Sequence, residues 1–289
     1  MRNVSRSHLA RFGASLAATL AATVCLGGAA SAAPGGLDTG SGSPGSSNPV
    51  VGGPVIDLLV FYTPEVLAAR GSEQAVLTAI NSSVQGMNDA LSRSEIAGQV
   101  RVTHALKAGS GEAVTGRGGT ALDWLRGNTA VQQARDEYKA DLVSLVITGG
   151  EGVANLPSVP VSQASSGAAW SVVGNDWLEP DLARGEAGVF AHELGHNLGG
   201  MHDWGTTPGT GGAHPERHGH VTAAGHVDIM AYNNSPLCTT KCQRKPYYSN
   251  PDVTVDGESF GRRGGNHPSD IASVFAQTIP VVAAYRNAS

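Results

Sequence analysis

The sequence predicts an α/β fold in which helices pack on a mostly parallel sheet. Runs rich in β-branched residues alternate with segments of helical period, in the order strand, helix, strand, helix, strand. Such alternation builds parallel neighbours joined by helical crossovers. Apolar residues make up 40% of the 289 and charged residues only 15%, a composition that supports a sizeable core rather than disorder.

Each element has its own signal. Val55–Tyr62 (VIDLLVFY) is a buried-strand run closed by Thr63-Pro64, where a helix can begin with proline in its first turn. From Glu65 to about Ser94, Val66, Leu67, Val76, Leu77, Ile80, Val84, Met87 and Leu91 recur at helical spacing and predict one long helix. Gln99–Leu106 alternates as a strand. A glycine-rich turn leads into a helix over Thr120–Lys139, with Leu122, Leu125, Val131 and Ala134 facing inward. Asp141–Thr148 reads as a buried strand and Ala168–Val173 as another. A further helix is predicted over Ala183–Leu198. Gly- and His-rich loop follows, then a last helix over Pro268–Tyr285.

The N-terminus reads as an address. Arg2, Arg6 and Arg11 precede an almost wholly small or apolar Ala14–Ala30, and Ala30-Ser31-Ala32 gives a small-x-small cleavage pattern. Residues 1–32 are therefore read as a secretory signal peptide. Its removal takes three Arg and no acid, so the net charge of -5 becomes 16 minus 24, or -8. An acidic chain without a long basic run argues against nucleic acid as partner. No later stretch reaches the roughly 18 apolar residues of a membrane span, so no membrane association is expected after cleavage. Residues 33–54 read as a linker, since 15 of the 21 residues from 34 to 54 are Gly, Ser or Pro. The folded domain is placed at 55–289. Cys25 leaves with the signal, and the remaining Cys238 and Cys242 suggest a disulfide in an oxidising compartment.

The chemistry sits in His192-Glu-Leu-Gly-His-Asn-Leu-Gly-Gly-Met-His202-Asp203. His192 and His196, four apart on a helix, project from one face and can reach one metal ion. Glu193 lies beside the first, placed to touch a metal-bound water rather than the metal. Gly199 allows the positive φ at which the helix must stop and reverse, and the turn returns His202 as a third nitrogen. Three neutral imidazoles and one open position describe a catalytic zinc site rather than a closed structural one. Glu216 as third ligand is the alternative, but it leaves the Gly199/His202 spacing unexplained. His214, His218, His220 and His226 read mainly as loop residues, with room for one to support the site.

With these residues the sequence resembles the metzincin clan of zinc endopeptidases, whose pattern H-E-x-x-H-x-x-G-x-x-H is followed downstream by a Met-turn. Asp228-Ile-Met-Ala-Tyr232 supplies that turn, with Met230 beneath the metal, and Asp203 after the third His is similar to the reprolysin branch. The opening strand and the tail from Tyr247 are similar to the bacterial reprolysin-like peptidases, including the peptidyl-Asp metalloendopeptidases. The resemblance implies a twisted sheet over the active-site helix and a smaller, loop-rich C-terminal subdomain. It implies a secreted monomeric enzyme holding one zinc ion (Zn2+), acting on proteins or peptides, with Glu193 as general base and then acid and Tyr232 as a hydroxyl donor to the oxyanion. Nothing in the sequence indicates calcium. Substrate is expected along an edge strand within Gly152–Ser165, and the loop after the Met-turn, shaped by a Cys238–Cys242 disulfide, is expected to wall the pocket beyond the scissile bond. A non-catalytic zinc protein on the same fold would have no need of Glu193.

Overall fold

The computed structural model describes residues 52–108, 118–150, 152–209, 212–239 and 241–286. The expected signal peptide and all but the last three residues of the expected linker lie outside them. β1 (Val55–Tyr62) is buried along almost its whole length. Its alternate residues feed two cores: Ile56, Leu58, Val60 and Tyr62 on one face, Leu59 and Phe61 on the other. A strand covered on both faces needs an unbroken apolar run, which is what the sequence spells there. β2 (Gln99–Lys107), β3 (Leu142–Ile147) and β5 (Trp170–Gly174) run parallel to it, in the sheet order β2-β1-β3-β5. Short β4 (Gly152–Ala154) is antiparallel to β5 and forms the edge inside the expected window. Between β1 and β2 the register shifts at Leu58/Leu59, where the Thr103 hydroxyl donates to the Leu58 carbonyl (3.2 Å).

The helices are shorter than their periodicity predicts, and in each case a local backbone feature wins. The segment read as one helix from Glu65 is two: α1 (Pro64–Arg70) and α2 (Glu73–Arg93). Gly71 takes φ 80° as the cap of α1, and the Ser72 hydroxyl then accepts from the Ala75 amide to start α2. The Thr120–Lys139 segment likewise divides into α3 (Gly118–Gly127) and α4 (Thr129–Glu137), because the Asn128 side chain accepts from the Ala130 and Val131 amides. α5 (Val189–Asn197) begins six residues later than read, since Gly185 and Gly188 have φ of 74° and 89°. α6 (Ile271–Val282) starts at an Asp270 cap. Helices α2, α5 and α6 cover one face of the sheet, and α3 and α4 cover the other. Beyond α5, before α6, the chain is mostly loop with two-residue strands and the Asn250–Phe260 hairpin. Among the described residues no helix is long and apolar enough to cross a membrane.

The fold makes a sharp distinction between glycines. In α2, a β-carbon at Gly86 would overlap the Ala187 carbonyl oxygen and lie 2.7 Å from the Pro180 ring, whereas one at Gly119 in α3 meets nothing within 4 Å. Gly86→Ala should therefore destabilise by about 1–3 kcal/mol as α2 is forced off the loop that leads to α5. Gly119→Ala should be neutral or add about 0.4–1 kcal/mol. Denaturant midpoints of the two variants check the pair.

Candidate metal centre

Helix α5 presents two faces. Phe190 and Leu194 are fully buried in the core, while His192 and His196, one turn apart, look into the cleft. The helix ends because Gly199 adopts φ 99°. Its amide donates to the His196 carbonyl and the Gly200 amide to the Gly195 carbonyl, each at 2.9 Å, the paired bonds of a Schellman stop. The reversed chain is then fixed by Met201, which bonds through its amide to Arg217 and through its carbonyl to Gly219. That places His202 Nε2 3.2 Å from His192 Nε2 and 3.1 Å from His196 Nε2.

Three facing nitrogens fit a cation. The His192 Nδ1 donates to the Ile229 carbonyl and the His196 Nδ1 to the Gly200 carbonyl, both at 2.8 Å. A carbonyl can only accept, so each ring carries its proton on Nδ1 and turns a bare Nε2 lone pair inward. Burial disfavours the imidazolium forms, pushing His192 well below its ordinary value and His196 down to about 4. Two nitrogens bound tetrahedrally to one zinc at 2.0–2.1 Å stand about 3.3 Å apart, close to the spacing found. Among the described residues this is the one His, Cys, Asp or Glu group that could hold a metal.

Glu193, 5% exposed, leaves its Oε2 without a hydrogen-bond partner, and burial raises its carboxyl to about 8. The carboxyl is packed against Gly152 of β4, where any β-carbon would overlap Oε1. A cavity of about 450 Å³ and a smaller one of about 270 Å³ meet at Gly152, His192, Glu193 and Tyr232. The Tyr232 ring stands 4.5 Å from His202 and 6.0 Å from His192 between centroids. Met230 is fully buried under the helix, with Sδ 2.6 Å from where a Gly195 β-carbon would be.

Asp203 locks the third histidine to this floor. Its carboxylate accepts from the Gly205 amide (2.9 Å), the Thr206 amide and hydroxyl (3.1 and 2.7 Å), the Tyr232 amide (3.2 Å) and the Ser235 hydroxyl. Burial alone would raise this carboxyl, but the bonds from Ser235, Thr206 and Tyr232 outweigh it and hold it below the ordinary value. Asp228 accepts from Ala231 (2.8 Å) and Ser249 (3.0 Å), fixing the turn that carries the Ile229 carbonyl.

Glu216 pairs with His214 at 3.0 Å, away from the three imidazoles. Of the loop histidines, His218 supports the site, with Nδ1 2.8 Å from the His202 carbonyl and its ring stacked on Trp204. Cys238 and Cys242 are joined as a disulfide. The larger cavity is walled by Asn233 and Arg244, on either side of the disulfide, and by residues of 176–189, among which Glu186 pairs with Arg244; no described residue from Cys238 to Cys242 lines it. Residue patterns gave no sign of Asn197, whose Nδ2 lies 2.9–3.1 Å from the carbonyls of Asn155, Ala168 and Trp170.

A family model described as Metallo-peptidase family M12 matches residues 54–248. Relatives named peptidyl-Asp metalloendopeptidase occur in Stenotrophomonas maltophilia (35% identical over 34% of this chain) and Xanthomonas campestris pv. campestris (30% over 54%). A third, in Pseudomonas aeruginosa, is 29% identical over 52%. These matches span only 22%, 34% and 25% of the relatives' own lengths. A solved chain titled "Structure of a chaperone-substrate complex" superposes on 81% of this chain and 36% of its own, with TM-score 0.59 and 23% identity, and shares the fold.

The Asp203 network makes its own prediction. Asp203→Ala leaves the buried Ser235 donor and the half-buried Thr206 and Tyr232 donors without their acceptor and should cost about 2–4 kcal/mol. Urea unfolding of metal-free wild type and variant, compared at one pH, measures this without any contribution from bound metal.

Proposed function

This chain belongs to metallo-peptidase family M12, and from that premise we propose that it is a secreted zinc-dependent endopeptidase. The observation that carries the reading is the convergence of three Nε2 atoms, two of them left proton-free by their Nδ1 bonds, beside the buried Glu193 carboxyl, whose Oε2 has no partner. His192, His196 and His202 hold the metal. When bound, zinc supplies Lewis-acid chemistry, acidifying a water and polarising the scissile carbonyl. Glu193 takes the proton from the attacking water and then hands it to the leaving amine. Tyr232, at the junction of the two cavities, offers its hydroxyl to the developing oxyanion. The substrate main chain pairs antiparallel along β4, which has β5 on its other side. Export is supported by the signal-like residues 1–32, the linker at 33–54 and the Cys238–Cys242 disulfide, which fits an oxidising compartment. The enzyme acts as a monomer on protein substrates.

The relatives are named for a peptidyl-Asp bond, and we read that Asp as the residue directly after the scissile bond. Arg244 supports the same preference here. It lines the larger cavity and uses two of its N–H donors, on Glu186 (2.8 Å) and the Ala231 carbonyl (2.9 Å), leaving others for an incoming carboxylate. Three of the four carboxylates in that wall are already engaged, Glu179 by Arg70, Asp181 by Arg184 and Glu186 by Arg244, which leaves Asp176.

Two experiments test this. Metal analysis of the purified protein should find one zinc per chain. Glu193→Gln should keep that zinc and lose turnover by about 10²–10⁴-fold or more, whereas His202→Ala should lose metal and activity together. Near wild-type cleavage by a zinc-loaded Glu193→Gln variant would sink the assignment. On peptides differing only after the scissile bond, wild type should prefer Asp to Ala. Arg244→Gln should erase that preference by roughly tenfold or more, the worth of one charge-assisted pair. A preference for Lys at that position would overturn the role given to Arg244.

A further inference from the structure

We infer that Trp177 is a specificity-determining residue that receives a side chain of the substrate beyond the first position after the scissile bond. This rests on the reading of the cleft as a peptidase site. Trp177 is 64% exposed, and of the four tryptophans it alone is exposed. Isolated exposed apolar residues are ordinary, so exposure alone decides nothing; the ring's mounting does. Trp177 ends a short turn, Asn175–Trp177, that is fastened from both sides. The Asp176 amide donates to the Gly149 carbonyl (3.0 Å), and Arg70 donates to the Asn175 side chain (2.6 Å) and carbonyl (2.9 Å). The indole itself packs on backbone: a β-carbon at Gly150 would come within 2.9 Å of it. One part of the ring is thus fixed against the chain entering β4, and the rest opens into the larger cavity that also holds His192 and Glu193.

Strand direction assigns the side. β4 runs from Gly152 to Ala154, so an antiparallel substrate has its leaving-amine half toward Gly152 and beyond it toward Gly150. The two cavities agree, for the smaller takes in Gly152, Val153, Ala154 and Leu156, and the larger touches only Gly152 of these. Gly150 lies two residues before Gly152, on the side of β4 toward which the leaving-amine half runs. A side chain there, the second or third after the scissile bond, meets the indole rather than Arg244. An aromatic or branched aliphatic group can stack on a ring that is already ordered, with little side-chain entropy left to lose.

The test uses zinc-loaded protein and peptides with a fixed residue after the scissile bond, bearing Phe, Leu or Gly at the two positions that follow. Wild type should favour Phe and Leu over Gly. In Trp177→Ala the kcat/KM ratio of Phe to Gly peptide should fall about tenfold, through KM rather than kcat, and Trp177→Phe should restore most of it. A ratio within twofold of wild type in Trp177→Ala overturns the inference. Docking is read separately from turnover by titrating the zinc-loaded Glu193→Gln protein with the Phe peptide. Tryptophan emission should shift, and the shift should vanish in Glu193→Gln/Trp177→Phe. Saturation without a shift overturns the role of Trp177 even if every peptide is cut. A wild type that binds with the shift but cuts none of the peptides counts against the peptidase reading alone.

Discussion

The donation of the His192 Nδ1 proton to the Ile229 carbonyl is the interaction on which the rest depends. It fixes the tautomer, so the Nε2 lone pair must face the cleft, and it joins the helix to a turn far along the chain. That turn is itself held by Asp228, and the loop between them by Asp203. Burial of the histidines is costly for a charged ring and cheap for a neutral one. The fold therefore selects the protonation state that a metal requires before any metal arrives. Glu193, in the same dry environment, has no donor of its own. Burial alone favours its protonated form.

Much of this was legible in the chain. The residues at 192, 196, 199 and 202 act through spacing on one helix and one turn, and spacing is what a sequence displays. β1 was legible because a strand buried on both faces needs apolar residues at every position. The helix ends were harder. Leu77 and Ile80 continue the periodicity of Val66 and Leu67, but a single glycine at 71 and a serine cap at 72 divide the segment. Periodicity reports which face is buried and is silent about where the axis turns. Asn128 and Gly188 acted in the same way for the later helices.

Other contributors could not be read because they act through space. Gly152 matters because Glu193 lies against it, Asn197 because three carbonyls gather around its amide, and Trp177 because Gly150 lies beneath it. None of these pairings has a periodic or local signature. The loop after the Met-turn reaches the larger cavity through Asn233 and Arg244, on either side of its disulfide, and which of its residues do so is likewise set by packing rather than by order along the chain.

The Asn197 amide carries one more consequence. It reaches across from the end of α5 to Trp170 of β5 and to Asn155, the residue that follows β4 and whose amide also bonds to Trp170. The ceiling along which a peptide would lie and the helix beneath it are thus bolted to one strand. A cleft built this way cannot be widened or narrowed by a hinge between those parts. The exposed side chains that reach the larger cavity from the outer segments at 175–188 and 233–244, Trp177 among them, lie outside that frame, so a change in one alters the lining of the cleft and not the spacing of its floor and ceiling.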